Sequence, residues 1–198
     1  MTACPTQIRA AFAACALLLT GLAGCTSVTP YQEDRPGQQA SGGYSEIALA
    51  SDRYRVTFSG NSLTARDRVE GYLLFRAAEL TVRDGYDWFL IIDRFTEHDI
   101  ETYVRPDPLY RPYYGGSYGF WRPHWSYTRH GRSELWHPEW GGPFPGDARE
   151  LQTFERFEAH AEIVLRRGPI PAGEERAFDA RRVIADLAPT IERPGDRR

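Results

Sequence analysis

Residues 153–167 read TFERFEAHAEIVLRR and alternate apolar and polar side chains over most of their length. The apolar set consists of Phe157, Ala159, Ala161, Ile163 and Leu165. The polar set between them consists of Arg156, Glu158, His160, Glu162 and Arg166. Successive side chains of a β-strand point to opposite faces of a sheet, so this pattern predicts a long strand with one buried face.

Two further strands are predicted upstream of this one. In residues 53–59, Tyr54, Val56 and Phe58 alternate with polar residues, which again indicates a half-buried strand. Residues 87–93 read DWFLIID, a continuous apolar run of the kind found in central strands, and polar alternation extends it towards residue 103.

Two apolar stretches with helical spacing predict helices. The first ends near Arg83 and has Ser62 or Thr64 as a candidate N-cap. The second spans about residues 177–187 and is closed by Pro189.

The order of these elements is strand-helix-strand-strand-helix, which predicts a single small α+β domain over residues 44–192. Its expected core is a mixed sheet of about three strands with two helices. The first crossover would make strands one and two parallel, and the last two strands would be antiparallel. Residues 193–198 are expected to form a disordered tail.

A long aromatic, Gly/Pro-rich insertion separates the last two predicted strands and occupies about residues 105–150. Residues 103–144 contain six Tyr, four Trp and two Phe with no regular period. Two interpretations stay open: a loop that packs on its own domain, or a surface that binds a glycan or a protein partner. The aromatic rings of that candidate binding surface are Tyr114, Trp121, Trp125, Trp136 and Trp140.

The N-terminus has the pattern of an export signal. An apolar run over residues 10–22 ends in Leu22-Ala23-Gly24-Cys25, which resembles the bacterial lipobox. The resemblance implies that residues 1–24 are removed and that Cys25 becomes the lipidated first residue, carrying fatty acyl chains such as palmitate. The other cysteines, Cys4 and Cys15, lie within the signal, so the mature chain would keep one thiol.

The residues after the predicted lipidation site indicate a location. Thr26 and Ser27 follow Cys25, and the absence of Asp there favours the periplasmic face of the outer membrane over the inner membrane. Residues 25–43 are poor in aliphatic side chains and are expected to form the lipidated residue and a flexible tether.

Three internal motifs also resemble an uncharacterised family of Gram-negative bacterial lipoproteins. They are RVTFSGN at residues 55–61, YLLFRAAELT at 72–81 and GYDWF at 85–89. The resemblance implies a single-domain lipoprotein and supplies no catalytic residue. Arg76 and Glu79 are charged residues in an apolar helix, so each needs a partner. Either they bond each other or the sheet, or they form a small polar pocket with Asp87.

Several chemistries are disfavoured. The net charge of −3 and a pI near 6.0 argue against a nucleic-acid partner. Residues 115–119, GGSYG, match a hydrolase motif but lack the strand before and the helix after that it needs. His124, His130 and His137 match no compact metal-ligand spacing, so neither a metal nor a cofactor is expected.

The expected function is a non-enzymatic structural or interaction role in the cell envelope, performed by a periplasmic protein held at the outer membrane by its lipid anchor. The first alternative is a binding module that uses residues 103–144 to hold a glycan or a protein partner. A second alternative, a hydrolase, has no support in the sequence.

Overall fold

The computed structural model describes residues 27–38, 40–61, 63–92, 118, 121, 123–129, 132–136 and 154–196. Over these residues the chain forms a seven-stranded sheet with two α-helices packed on one face. The strands are β1 (Gly43–Ala50), β2 (Arg53–Gly60), β3 (Trp88–Ile92), β4 (His124–Arg129), β5 (Arg132–Trp136), β6 (Phe154–Arg166) and β7 (Ala177–Asp179). The helices are α1 (Arg66–Arg83) and α2 (Ala180–Leu187), and a single 3-10 turn follows at Ala188–Thr190.

Strand β6 is the centre of the sheet. It is 13 residues long and pairs with β2 along one edge. Its other edge pairs with β3 through residues 162–166 and with β4 through residues 154–160, so these two strands lie end to end beside it. The main path runs β1-β2-β6-β3-β7, and β5 extends the sheet beyond β4.

The expected mixed sheet of about three strands is therefore wrong, although the class is broadly α+β. Every ladder between the described strands is antiparallel. Strands β2 and β3 do run in the same direction, but β6 lies between them and pairs with both. The sequence missed β1, β4, β5 and β7 because each is short or lacks a clear alternation of apolar residues and forms by pairing with a distant partner.

The helix boundaries also differ from expectation. Helix α1 begins at Arg66, and Ala65 occupies its N-cap position without a side-chain hydrogen bond. Thr64, which was expected to cap it, instead accepts a hydrogen bond from the Thr29 backbone nitrogen at 2.9 Å. Helix α2 begins later than expected, where Asp179 accepts a hydrogen bond from the Arg182 nitrogen at 2.9 Å.

The hydrophobic core lies between the helices and one face of the sheet. The sheet contributes the alternating residues Val56, Phe58, Phe89, Ala159, Ala161, Ile163 and Leu165. The helices contribute Val69, Tyr72, Leu73, Leu80, Val183 and Leu187, among others. Gly60 allows a close approach here, because a Cβ atom at that position would lie 2.8 Å from Cγ2 of Val69.

The N-terminal segment belongs to the folded body over its described residues, which corrects the expectation of a flexible tether through residue 43. Thr29 and Tyr31 are buried, and Tyr31 joins the core. The Tyr31 nitrogen donates to the Glu192 carbonyl oxygen at 2.7 Å, and the Tyr44 nitrogen donates to the Gln32 carbonyl oxygen at 2.7 Å. The segment is thus held on both sides by backbone hydrogen bonds.

The described part of the expected C-terminal tail also contacts the body. The Arg193 guanidinium lies 3.7 Å from the Glu79 carboxylate and 5.7 Å from the centre of the Tyr31 ring. Residues 27–31 and 191–193 therefore meet beside α1.

Candidate functional site

Arg76 of α1 bonds both its own helix and the sheet. Its Nη2 atom lies 2.7 Å from Oε1 of Glu46 on β1, and its Nη1 atom lies 3.1 Å from Oε2 of Glu79. The guanidinium also sits 4.0 Å above the centre of the Tyr44 ring. Both partnerships considered from the sequence are present, so the charge of Arg76 is compensated within the fold.

Asp87 lies apart from this pair, which corrects the expected three-residue polar pocket. Its carboxylate accepts hydrogen bonds from the Gly168 nitrogen at 2.8 Å and from Nη1 of Arg181 at 3.0 Å. The Gly168 hydrogen bond, followed by that of Arg181, holds the pKa of Asp87 below its usual range. Asp87 therefore ties the end of β6 to α2 and does not face Arg76.

The Arg76–Glu79 pair instead holds the N-terminal segment. The Tyr31 hydroxyl donates a hydrogen bond to Oε2 of Glu79. Burial of the ring raises the pKa of Tyr31 far above its usual value, and the Glu79 hydrogen bond acts in the same direction. The Tyr31 hydroxyl thus stays protonated at neutral pH and donates to Glu79, and this cluster fastens residues 27–38 to α1.

Three of the five predicted ligand-binding aromatics are core residues. Trp121, Trp125 and Trp136 are 3%, 1% and 8% exposed, so they present no open ring face. This corrects the interpretation of those three as a stacking surface. Tyr114 and Trp140, the other two, lie outside the described residues.

The buried tryptophans pack against the first turns of α1. The Trp121 indole donates to the Glu70 carbonyl oxygen at 3.1 Å, and the Trp125 indole donates to Glu70 Oε1 at 3.2 Å. The same carboxylate oxygen accepts from Arg66 Nε at 3.0 Å, and Arg66 lies 4.6 Å from the centre of the Trp136 ring. Glu70 is therefore the point where the aromatic insertion attaches to the helix.

The sequence contained one sign of this arrangement that the prediction did not use. Arg66 and Glu70 are an opposite-charge pair at i, i+4 beside the apolar residues of α1. Their side chains are only 7% and 2% exposed. The carboxylate of a pair so deeply buried needs a further hydrogen-bond donor, and the Trp125 indole provides it.

A second polar cluster lies on the sheet face away from the helices, and the sequence did not predict it. Antiparallel pairing places Thr57 of β2 opposite His160 of β6, and Ser126 of β4 opposite Glu158. The Ser126 hydroxyl oxygen is 2.8 Å from His160 Nε2, and the Thr57 hydroxyl oxygen is 3.0 Å from His160 Nδ1. The imidazole is thereby held at both nitrogens.

Carboxylates flank this imidazole. Glu158 accepts hydrogen bonds from Ser59 at 2.8 Å and from Ser126 at 3.4 Å, and its Oε2 atom lies 4.0 Å from His160 Nε2. Two residues beyond His160 along β6, on the same face, Glu162 is buried between Arg53 at 2.6 Å and Arg55 at 2.7 Å. On this face of the sheet, the polar side chains of β2, β4 and β6 therefore bond to one another.

Burial lowers the pKa of His160 below its usual value of 6.5, and this effect outweighs the opposing charge of Glu158. His124 and Arg55 add to the lowering. The imidazole is consequently neutral at pH 7, with one nitrogen able to donate a hydrogen bond and the other able to accept one.

The geometry of this cluster differs from that of a nucleophilic catalytic triad. In a serine hydrolase a carboxylate orients the imidazole through its far nitrogen, but here that nitrogen faces the Thr57 hydroxyl. The Glu158 carboxylate instead lies 3.4 Å from the Ser126 oxygen, where it would oppose negative charge on that oxygen. Among the described residues, no group of three His, Cys, Asp or Glu is arranged to hold a metal ion.

The chain matches no protein-family model, no curated protein and no solved structure. The resemblance to lipoproteins therefore stays a prediction. Within the part of the chain that the structure describes, no helix combines the length and the apolar character needed to cross a membrane.

Proposed function

We propose that this chain is a lipoprotein of the bacterial envelope, anchored through Cys25, whose body performs a non-enzymatic structural or interaction role at the periplasmic face of the outer membrane. One observation carries the proposal: the chain enters the folded core immediately after the lipobox-like Leu22-Ala23-Gly24-Cys25. Thr29, only four residues beyond Cys25, is fully buried.

The short distance along the chain supports an anchor rather than a chance cysteine. A leader that ended farther upstream would leave an apolar stretch attached to the packed segment. Cleavage before Cys25 instead leaves a mature chain whose third residue, Ser27, already accepts a hydrogen bond from Asn61 Nδ2 at 2.6 Å. Several acyl chains on one residue bind a bilayer stably, because each buried methylene contributes about 0.8 kcal/mol.

A binding module is the second candidate function, and the His160 cluster favours it. The His160 and Glu158 side chains are 27% and 30% exposed, and the Glu158 carboxylate keeps lone pairs that can accept hydrogen bonds from a ligand beside those from Ser59 and Ser126. A glycan or a polar protein surface offers the complementary hydroxyl and amide groups. Replacing Ser126 with Ala should weaken capture of such a partner from envelope extracts without unfolding the domain.

Replacement of the proposed anchor tests the main proposal. A Cys25→Ala chain should lack acyl chains and should be absent from the outer-membrane fraction. Cys15→Ala is the matched control, because that cysteine lies in the segment that is removed, and it should leave membrane association unchanged.

Mass spectrometry of the mature N-terminal peptide gives an independent readout, since an uncleaved leader could hold the Cys25→Ala chain in the inner membrane. The wild-type peptide should begin at Cys25 and carry the mass of a diacylglyceryl group and a fatty acyl chain. An unmodified thiol at Cys25 would refute the proposal.

A further inference from the structure

We infer that the turn between β2 and α1 rests on the lipid surface and that the Leu63 side chain inserts among the lipid headgroups. This inference rests on the proposed lipid anchor at Cys25. It assigns one face of the domain to the membrane, and so it also says which faces remain available to other partners.

The first step of the argument is the length of the chain between the anchor and the fold. Cys25 and Ser27 are two residues apart, and an extended chain spans at most about 3.6 Å per residue, so they are separated by no more than about 7 Å. The Ser27 carbonyl oxygen accepts a hydrogen bond from Asn61 Nδ2 at 2.6 Å. The Nδ2 atom of Asn61, directly after β2, is therefore within about 12 Å of the Cα atom of the acylated residue, once the ~2.4 Å from the Ser27 Cα atom to its carbonyl oxygen is included.

The second step is the rigidity of this connection. The Thr29 nitrogen donates to Thr64 Oγ1 at 2.9 Å, and the Asn61 nitrogen donates to Thr29 Oγ1 at 3.0 Å. Thr29 and Thr64 are 0% and 5% exposed, so water does not compete with these bonds. The segment from Ser27 to Thr29 and the turn residues Asn61 and Thr64 form one hydrogen-bonded unit, and only Thr26 separates it along the chain from the acylated Cys25.

The third step is the chemistry of the turn. The Asn61 side chain accepts hydrogen bonds from the Leu63 nitrogen at 3.1 Å and from the Thr64 hydroxyl at 2.8 Å, which ties Leu63 and Thr64 to Asn61. The Leu63 side chain is nevertheless 52% exposed. An apolar side chain fixed outside the core beside a membrane anchor gains by entering the bilayer boundary.

A lipid surface is the occupant that the observations favour. The net charge of −3 gives no general attraction to anionic lipids, so the contact must depend on the anchor and on apolar burial. The anchor supplies a high effective concentration of lipid at this turn, and a single leucine then suffices for contact. A partner protein at the same place is an outcome that the experiment below distinguishes.

Ile47 of β1 offers a matched control. It is 58% exposed and apolar like Leu63. Its register partner on β2 is Arg55, five residues before Gly60, which places it about 16 Å along the strand from the turn at ~3.3 Å per residue. The inference therefore includes an orientation of the domain in which β2 rises from the lipid surface, so that Ile47 is held away from it.

The test uses the full lipoprotein with a fluorophore at each position. Because Cys4 and Cys15 lie in the leader and Cys25 is acylated, Leu63→Cys and Ile47→Cys each introduce a single reactive thiol. Each variant is labelled with an environment-sensitive nitrobenzoxadiazole dye and reconstituted into phosphatidylethanolamine vesicles with and without brominated acyl chains. The dye at position 63 should be quenched several-fold more than the dye at position 47.

Three other outcomes would overturn the inference in distinguishable ways. Equal quenching at both positions, in protein that floats with the vesicles, refutes the seating of the turn and leaves the lipid anchor intact. Shielding of position 63 in whole envelopes but not in pure lipid identifies a partner protein there instead. Failure to float, with a free thiol at Cys25, refutes the proposed function together with this inference.

Discussion

The indole nitrogen of Trp125 lies 3.2 Å from Oε1 of Glu70 and donates a hydrogen bond to it, although the two residues are 55 positions apart and both almost completely buried. This bond joins β4, in the aromatic insertion, to the second turn of α1. An insertion with the composition of a binding loop thus supplies part of the hydrophobic core. The same tryptophan cannot also stack on an external ligand.

Replacement of Trp125 by Ala should therefore destabilise the fold. Loss of a large buried side chain costs about 3–5 kcal/mol in the free energy of unfolding, and the Glu70 carboxylate loses a donor as well. Chemical denaturation followed by circular dichroism measures the change. Ile47→Ala is the control, since that side chain is 58% exposed and its loss should have little effect. Unchanged stability together with loss of glycan or protein binding would support a surface role for Trp125 after all.

Replacement of Tyr31 by Phe should loosen the N-terminal segment. The variant keeps the ring in the core but loses the hydrogen bond to Glu79, which should cost about 1.5–3 kcal/mol because the acceptor is charged. Hydrogen exchange should accelerate most at the backbone amides of residues 31–34. Gln38→Ala is the control, because Gln38 bonds within the exposed loop of the same segment. Equal exchange rates in the Tyr31→Phe and wild-type chains would contradict the proposed fastening.

The stability of the protein should fall on mild acidification because of His160. Its pKa is lowered in the folded state, so below pH 6.5 the unfolded chain takes up a proton that the folded chain resists. The contribution of His160 to the free energy of unfolding is therefore fully present above pH 6.5 and is lost as the pH falls towards the folded-state pKa. Its slope is at most about 1.4 kcal/mol per pH unit, since one proton is involved.

His160→Gln isolates this effect, because the amide keeps hydrogen-bonding groups near Thr57 and Ser126 without titrating. The free energy of unfolding is measured against pH for both chains, and the variant's values are subtracted from those of the wild type. The contribution of carboxylates that titrate in both proteins cancels in this difference. Glu158, His124 and Arg55 are the charged or titratable groups that act on the imidazole, and all three are retained. If the free energy of unfolding changed equally in both chains from pH 7 to pH 5, the pH dependence would not come from His160.

Local patterns predicted the elements that bury a regular face. The alternation in β6, the apolar run of β3 and the helical spacing of α1 were correctly identified to within a few residues, because each pattern is a property of neighbouring positions. Strands β4 and β5 escaped detection, since their aromatic residues have no regular period and their pairing depends on β6. The predicted polar pocket wrongly included Asp87. This residue follows α1 closely along the chain, but closeness along the chain does not determine in which direction its carboxylate points.

The amino-acid sequence alone determined the central strand, the buried helix and the lipobox-like motif at Cys25, because these depend on the order of adjacent residues. Only the tertiary structure decided that Trp121, Trp125 and Trp136 are internal and that His160 meets Ser126 and Thr57. Thr57 and His160 are 103 residues apart, and their contact exists only after β2 and β6 pair in one register. Register is set by burial of a whole sheet face at once, a global condition that no local pattern contains.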